Sequence, residues 1–155
     1  MKRILTMVLA AATLFTLTAT GAAAASGYVG QNPYTAGCAS DKRQIWPTQG
    51  EVSQGGAVIV RDKTNVLAGW VYVYHSDRCR TAWAEWATNS SHHWFHGELS
   101  LWNSWNQNQK NYTSAGQLGG RTNMVDDPPG VTTCVGMQVY YNGEWRRWQL
   151  GFCYA

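Results

Sequence analysis

Charge is scarce in this chain: of its 155 residues only 14% are Asp, Glu, Lys or Arg. The basic residues come as scattered pairs such as Lys42-Arg43 and Arg146-Arg147, not as a stripe. That leaves no electrostatic footprint for a nucleic acid or an anionic membrane surface. Helical periodicity is missing as well. No window of a dozen mature residues sets apolar side chains three and four apart between caps, so little helix is expected. There is no Gly-x-Ser-x-Gly elbow and no phosphate-cradling glycine loop. Nor is there a Cys-x-x-Cys pair, which removes support for a zinc ribbon or a thioredoxin-type redox site. The apolar run at residues 4–17 falls short of the roughly 20 residues needed to cross a bilayer.

That run has a different use. Lys2 and Arg3 precede it and Ala22 to Ala25 follow it, the pattern of a secretory signal peptide over residues 1–25. Without Lys2 and Arg3, ten basic residues face nine acidic ones, a mature net charge of +1. About 130 residues remain, enough for one domain with a core. All four cysteines, Cys38, Cys79, Cys134 and Cys153, fall in this mature part. An even number in an exported chain points to two disulfides, with three possible connectivities.

Residues 26–37, rich in Gly, Ala, Asn and Pro, suit a flexible lead-in, and residues 38–155 a single β domain. Residues 66–86 hold a β-branched and aromatic run, a polar break at 75–78 and a second run opening at Cys79, which reads as two strands and a turn. Short strands are also expected at residues 43–46, 57–60 and 98–102, with loops at 103–111 and 117–120. At the C-terminus, residues 132–141 and 144–154 flank Asn142-Gly143, the preferred pair for a two-residue turn with positive φ at both positions. The turn predicts a register of Tyr141 opposite Glu144, Val139 opposite Arg146, Met137 opposite Trp148, Val135 opposite Leu150 and Thr133 opposite Phe152. In it Cys134 and Cys153 are diagonal neighbours, a little too far apart for a relaxed bridge unless a bulge or strong twist closes the gap. By elimination Cys38 joins Cys79. Five to eight short strands and two staples predict an all-β fold, a small antiparallel sandwich or barrel.

Gly37-Cys38, an extended strand, the string Cys79-Arg80-Thr81-Ala82-Trp83-Ala84, then Gly120-Arg121-Thr122-x-Met124-Val125-Asp126-Asp127 and Cys134 together resemble the small secreted YjfA-like proteins of Gram-positive, chiefly actinobacterial, origin. The resemblance covers residues 37–134. It implies export and a compact β-rich unit, in a family of unknown function, and it transfers no catalytic residue. The extra Trp, His and Asn around residues 90–111 and the aromatic hairpin containing Cys153 depart from that pattern.

Nine tryptophans are several times the usual share, and Trp94, Trp102 and Trp105 fall in an amide-rich segment beside Asn103 and Asn106. Indole faces stack on the C–H faces of sugars while amides bond hydroxyls, so these five residues form the candidate ligand face. Trp83 and Trp148 are assigned to the core. His92, His93 and His96 with His75 could be imidazole ligands, but the position after His92 is His93, where a zinc protease needs Glu, and no metal or cofactor is expected. Asp126, Asp127, Glu98, Glu85 and Asp77 are the carboxylates available for hydrolysis; the adjacent aspartates before Pro128-Pro129 better suit a turn. The expectation is a secreted, monomeric, non-catalytic binding or structural module with an extracellular polysaccharide or cell-wall partner. A secreted hydrolase using carboxylates near Asp126 and Glu98, or a protein-directed inhibitor or toxin, are the alternatives.

Overall fold

The computed structural model describes residues 26–48, 52–61, 67–89, 96–113, 117–141 and 144–155. The expected signal peptide, Trp94, and the Asn142-Gly143 turn lie outside them. After a 3-10 turn at Cys38–Asp41, the strands in chain order are β1 (Lys42–Ile45), β2 (Val58–Arg61), β3 (Leu67–Ser76), β4 (Thr81–Thr88), β5 (His96–Asn103), β6 (Asn108–Thr113), β7 (Gly119–Arg121), β8 (Val125–Asp126), β9 (Thr133–Tyr141) and β10 (Glu144–Tyr154). They form two antiparallel sheets. In the first, β1 and β2 share one edge of β3, β3 pairs β4, and β7 and β8 share the far edge of β4; the second runs β10-β9-β5-β6.

The alternation expected of half-buried strands builds the interior. Val71 and Val73 of β3 and Ala82, Ala84 and Trp86 of β4 face Leu99 and Leu101 of β5, Val135 and Met137 of β9 and Phe152 of β10. Gly97 makes room for this layer: a Cβ there would lie 2.9 Å from Met137 Cε and 3.4 Å from the Trp86 ring.

Trp83 is fully buried, yet it alternates onto the opposite face of β4 from Ala82 and Ala84. Residues 26–41 cover it, which corrects the expectation of a flexible lead-in. Tyr28, Ala36 and Ala39 pack against a second core of Cys38, Cys79, Trp83 and Met124. Gly30 N–H donates to Met124 O at 2.9 Å, and Met124 N–H returns a bond to Gln31 O at 3.0 Å. Ser26 adds two bonds to Asp126, one from its backbone N–H at 2.9 Å and one from its hydroxyl.

Both disulfides are those expected, Cys38–Cys79 and Cys134–Cys153, and they fit an oxidising environment. The C-terminal register holds from Tyr141–Glu144 to Met137–Trp148, then shifts by two residues, so that Val135 faces Phe152 rather than Leu150. The irregularity brings Cys153 directly opposite Cys134, with a Cα separation of 4.1 Å. Two expected loops prove to be partly strand: residues 108–113 form β6 and residues 119–121 form β7. Both are edge strands with little apolar alternation, specified by pairing to β5 and β4 and not by local pattern. Among the described residues no helix is long and apolar enough to cross a membrane.

Candidate functional site

The outer face of the second sheet follows from the alternation that buries Leu99 and Leu101. Glu98, Ser100 and Trp102 point the other way, opposite Tyr112, Lys110 and Asn108 of β6. Across β9 their neighbours are Gln138, Gly136 and Cys134, so the middle of the face carries a glycine. Trp102 is 38% exposed and Tyr112 62%. At the rise of an extended strand, the four residues from Glu98 to Trp102 separate the Tyr112 and Trp102 positions by about 13 Å along the sheet. The charges between them are spent on one another. Lys110 Nζ lies 2.7 Å from Glu98 Oε1 and Ser100 Oγ donates to the same oxygen at 3.0 Å. Burial alone would raise the Glu98 carboxyl, but hydrogen bonds from Lys110, Tyr112 and Ser100 hold it below its ordinary value.

The β5–β6 turn adds Trp105, 40% exposed, and Asn106, exposed with φ 61°, a backbone state that Asn tolerates. Asn103 does not face solvent. It is buried, its Oδ1 accepting the N–H groups of Trp105 and Gln107 at 3.1 Å each, its Nδ2 donating to Gln107 Oε1 and Asp126 O at 2.8 Å each. With its donors and acceptor already used by the turn and by Asp126 of β8, Asn103 leaves the ligand set and becomes the turn's organiser. Gln107 Nε2 then donates to Asp126 Oδ2 at 2.7 Å. The structure therefore brings Trp102, Trp105 and Asn106 to one hairpin and adds Tyr112. Reading residues 103–111 as loop hid Tyr112, because only the strand alternation of β6 turns it outward.

The carboxylates considered for hydrolysis are occupied. Asp126 is buried under Ser26 and Gln107, and Glu98 is bound to Lys110. Among the described residues no group of three or more His, Cys, Asp or Glu side chains could hold a metal ion.

A second concavity, about 400 Å³, opens at one end of the sandwich. The inward row Val71, Val73 ends there in His75, opposite Arg43 on β1 and Ala82 on β4. His75 Nδ1 lies 2.7 Å from Asp127 Oδ2, which also accepts the Tyr154 hydroxyl at 3.1 Å, while Thr133 Oγ1 donates to Oδ1 at 2.6 Å. Facing a carboxylate, Nδ1 is the donor. In the sequence His75 falls with the other histidines as a candidate ligand and Asp127 with the turn formers; their pairing spans 52 positions and has no local signal.

Burial first, then Asp127, pushes the Tyr154 phenol far above its ordinary range. In the unfolded chain the phenol ionises near pH ~10, whereas the folded one keeps its proton. Above that pH the unfolded state binds fewer protons, so this group's contribution falls by about 1.4 kcal/mol per pH unit. Unfolding free energies from urea titrations should therefore decline by about 1.4 kcal/mol less in Tyr154→Phe than in wild type between about pH 9 and 11. Parallel declines would mean that the phenol titrates normally in the folded protein.

Compared with family models, curated proteins and solved structures, the chain gives no match. What can be said of its class comes from the two sheets and their surfaces: a disulfide-stapled antiparallel β sandwich with one aromatic hairpin and one polar end cleft.

Proposed function

We propose that this chain is a secreted binding module that holds an extracellular polysaccharide or cell-wall glycan on the aromatic side chains of its β5–β6 hairpin. One observation carries the reading. Of the six large apolar side chains exposed among the described residues, three, Trp102, Trp105 and Tyr112, stand on this hairpin. Exposed rings on a rigid sheet offer stacking area with little conformational freedom to lose, and the strand spacing between Trp102 and Tyr112 leaves room for several consecutive sugar rings. The pairing of Glu98 with Lys110 cancels the two charges that lie between Trp102 and Tyr112, which suits an uncharged ligand. Asn106 and Gln138 supply amides at its border. Export rests on the signal-like residues 1–25 and agrees with the disulfides. Kinship with the YjfA-like proteins rests on the string from Cys79 to Ala84 and its flanking residues and supplies no residue to this face.

Pull-down on insoluble cellulose, chitin and peptidoglycan tests the reading. At least one polymer should retain the wild type, and the Trp102→Ala, Trp105→Ala, Tyr112→Ala triple variant should lose at least about tenfold of that affinity, given stacking worth ~1 kcal/mol or more per ring. An unchanged circular dichroism spectrum would show the variant folded. Retention by none of the three, or equal retention of both proteins, removes the proposal.

A further inference from the structure

The end cleft is independent of the aromatic hairpin, and its chemistry is different. Its polar wall consists of His75, Asp127, Arg43, Asp77 and Arg80, and its apolar wall includes Ile45, Pro128 and Val131. His75 is 11% exposed, and Asp127, 5% exposed, fixes the ring through Nδ1, leaving Nε2 toward the opening. There Nε2 meets Asp77 Oδ1 at 3.1 Å, and the same oxygen lies 3.3 Å from Arg43 Nη2.

Asp77 is an unusual occupant. Its side chain is 71% exposed on the β3–β4 turn, and exposed ion pairs contribute little. Its carboxylate nevertheless takes the Arg43 donor and the Nε2–H of the imidazolium form of His75, the two donors that a bound anion would use. Arg80, at the other end of the same turn, also lines the cleft, and among the described residues its guanidinium has no ion-pair partner. The turn that presents both residues is braced from behind. Cys79 is bridged to Cys38, Arg78 N–H donates to Asp41 Oδ2 at 2.9 Å, and Asp127 N–H donates to Arg80 O at 2.8 Å.

We propose that this cleft binds an organic oxyanion, a carboxylate or phosphate carried on a compact apolar body, and that Asp77 occupies the anion position as a built-in competitor. The incoming anion replaces Asp77 on His75 Nε2 and Arg43, adds Arg80, and lays its apolar part against Ile45 and Val131. The planar guanidinium fork matches carboxylate and phosphate geometry, and a volume of about 400 Å³ is that of a small-molecule site. Asp77 contributes the opposite of affinity, since its removal frees the donors without unmaking the wall.

Imidazole NMR of the full mature protein tests this, with benzoate and inorganic phosphate as probes and benzyl alcohol as the uncharged match to benzoate. Benzoate, phosphate or both should shift the His75 ring saturably, which separates the carboxylate from the phosphate source, while benzyl alcohol should not. Asp77→Ala should tighten binding about threefold, the scale of an exposed pair released. Arg80→Met should weaken it about fivefold, as loss of a charge-assisted contact implies. Asp77→Asn repeats the first comparison with the turn's side-chain hydrogen bonding kept. The proposal falls if neither anion shifts His75 saturably in Asp77→Ala or Asp77→Asn. It also falls if removing the Asp77 charge leaves affinity unchanged or lower, if Arg80→Met binds as wild type does, or if benzyl alcohol binds as well as benzoate.

Discussion

Replacing Cys38 and Cys79 together by alanine is expected to destabilise the protein by about 4 kcal/mol and to uncover Trp83. The magnitude follows from the chain-entropy model for a bridge spanning 41 residues. Against a typical total of ~5–15 kcal/mol, such a loss is a large fraction of the stability. Its location is the sharper expectation. Residues 26–41 are held over the first sheet by few apolar contacts, those of Tyr28, Ala36 and Ala39 around the bridge, and by the paired amides of Gly30 and Met124. Without the bridge the segment must be retained by these and by polar bonds such as Ser26 to Asp126 and Tyr34 to Glu85, while the main core between the sheets keeps its packing. Hydrogen exchange should accordingly accelerate at the Gly30 and Met124 amides far more than at Val71 or Leu99. The Cys134→Ala, Cys153→Ala pair, whose bridge spans 19 residues, provides the comparison: about 3 kcal/mol of destabilisation with Gly30 and Met124 still protected. Unchanged protection at Gly30 in the first variant would show that the segment docks without its staple.

The main hairpins were legible because local pattern and tertiary demand agree there. β3 and β4 are dense in Val, Trp, Tyr and Ala around a short turn, and the β9–β10 register follows from the turn as far as Trp148. The register shift beyond Trp148 has no composition signal, but the cysteines required it, since Cys134 faces Cys153 only after it. Burial on both faces of β4 was half legible. Trp83 lies out of phase with Ala82 and Ala84, so a covering layer was needed, yet the Gly- and Asn-rich residues 26–37 look like tether material. Their apolar members are too sparse for a periodic signal and gain order from the disulfide. The candidate face was legible in Trp102 and Trp105 and missed in Tyr112, because the strand Asn108–Thr113 is polar on both sides. Asn103 shows the reverse error: amide-rich sequence suits sugar hydroxyls and tight turns equally, and here the turn claims it. The end cleft was illegible because His75, Asp127 and Tyr154 come from three separate stretches of chain.

Asp127→Ala is expected to destabilise by about 3–5 kcal/mol, the range for removing one partner from a buried charged cluster. The carboxylate is 5% exposed and accepts from Thr133 Oγ1, Tyr154 OH and His75 Nδ1, so its loss strands three donors at the junction of β3 and the two C-terminal strands. Removing one donor leaves the acceptor two others, so Thr133→Val and Tyr154→Phe should each lower stability by only about 1 kcal/mol. Asp127→Asn keeps the shape but turns an amide N–H toward a donor, and belongs between these limits. Urea denaturation with a constant m-value measures all four. The ordering distinguishes a network from a set of independent bonds: if Asp127→Ala equals the sum of the single-donor losses, the groups act separately, whereas a larger loss means that the carboxylate is what permits His75, Thr133 and Tyr154 to be buried together. A loss under about 1 kcal/mol would mean that water reaches the stranded donors and that the cleft is wetter than the 5% exposure of Asp127 implies. In that case His75 would lose its fixed orientation as well, because the Nδ1 contact is what aims Nε2 at the opening.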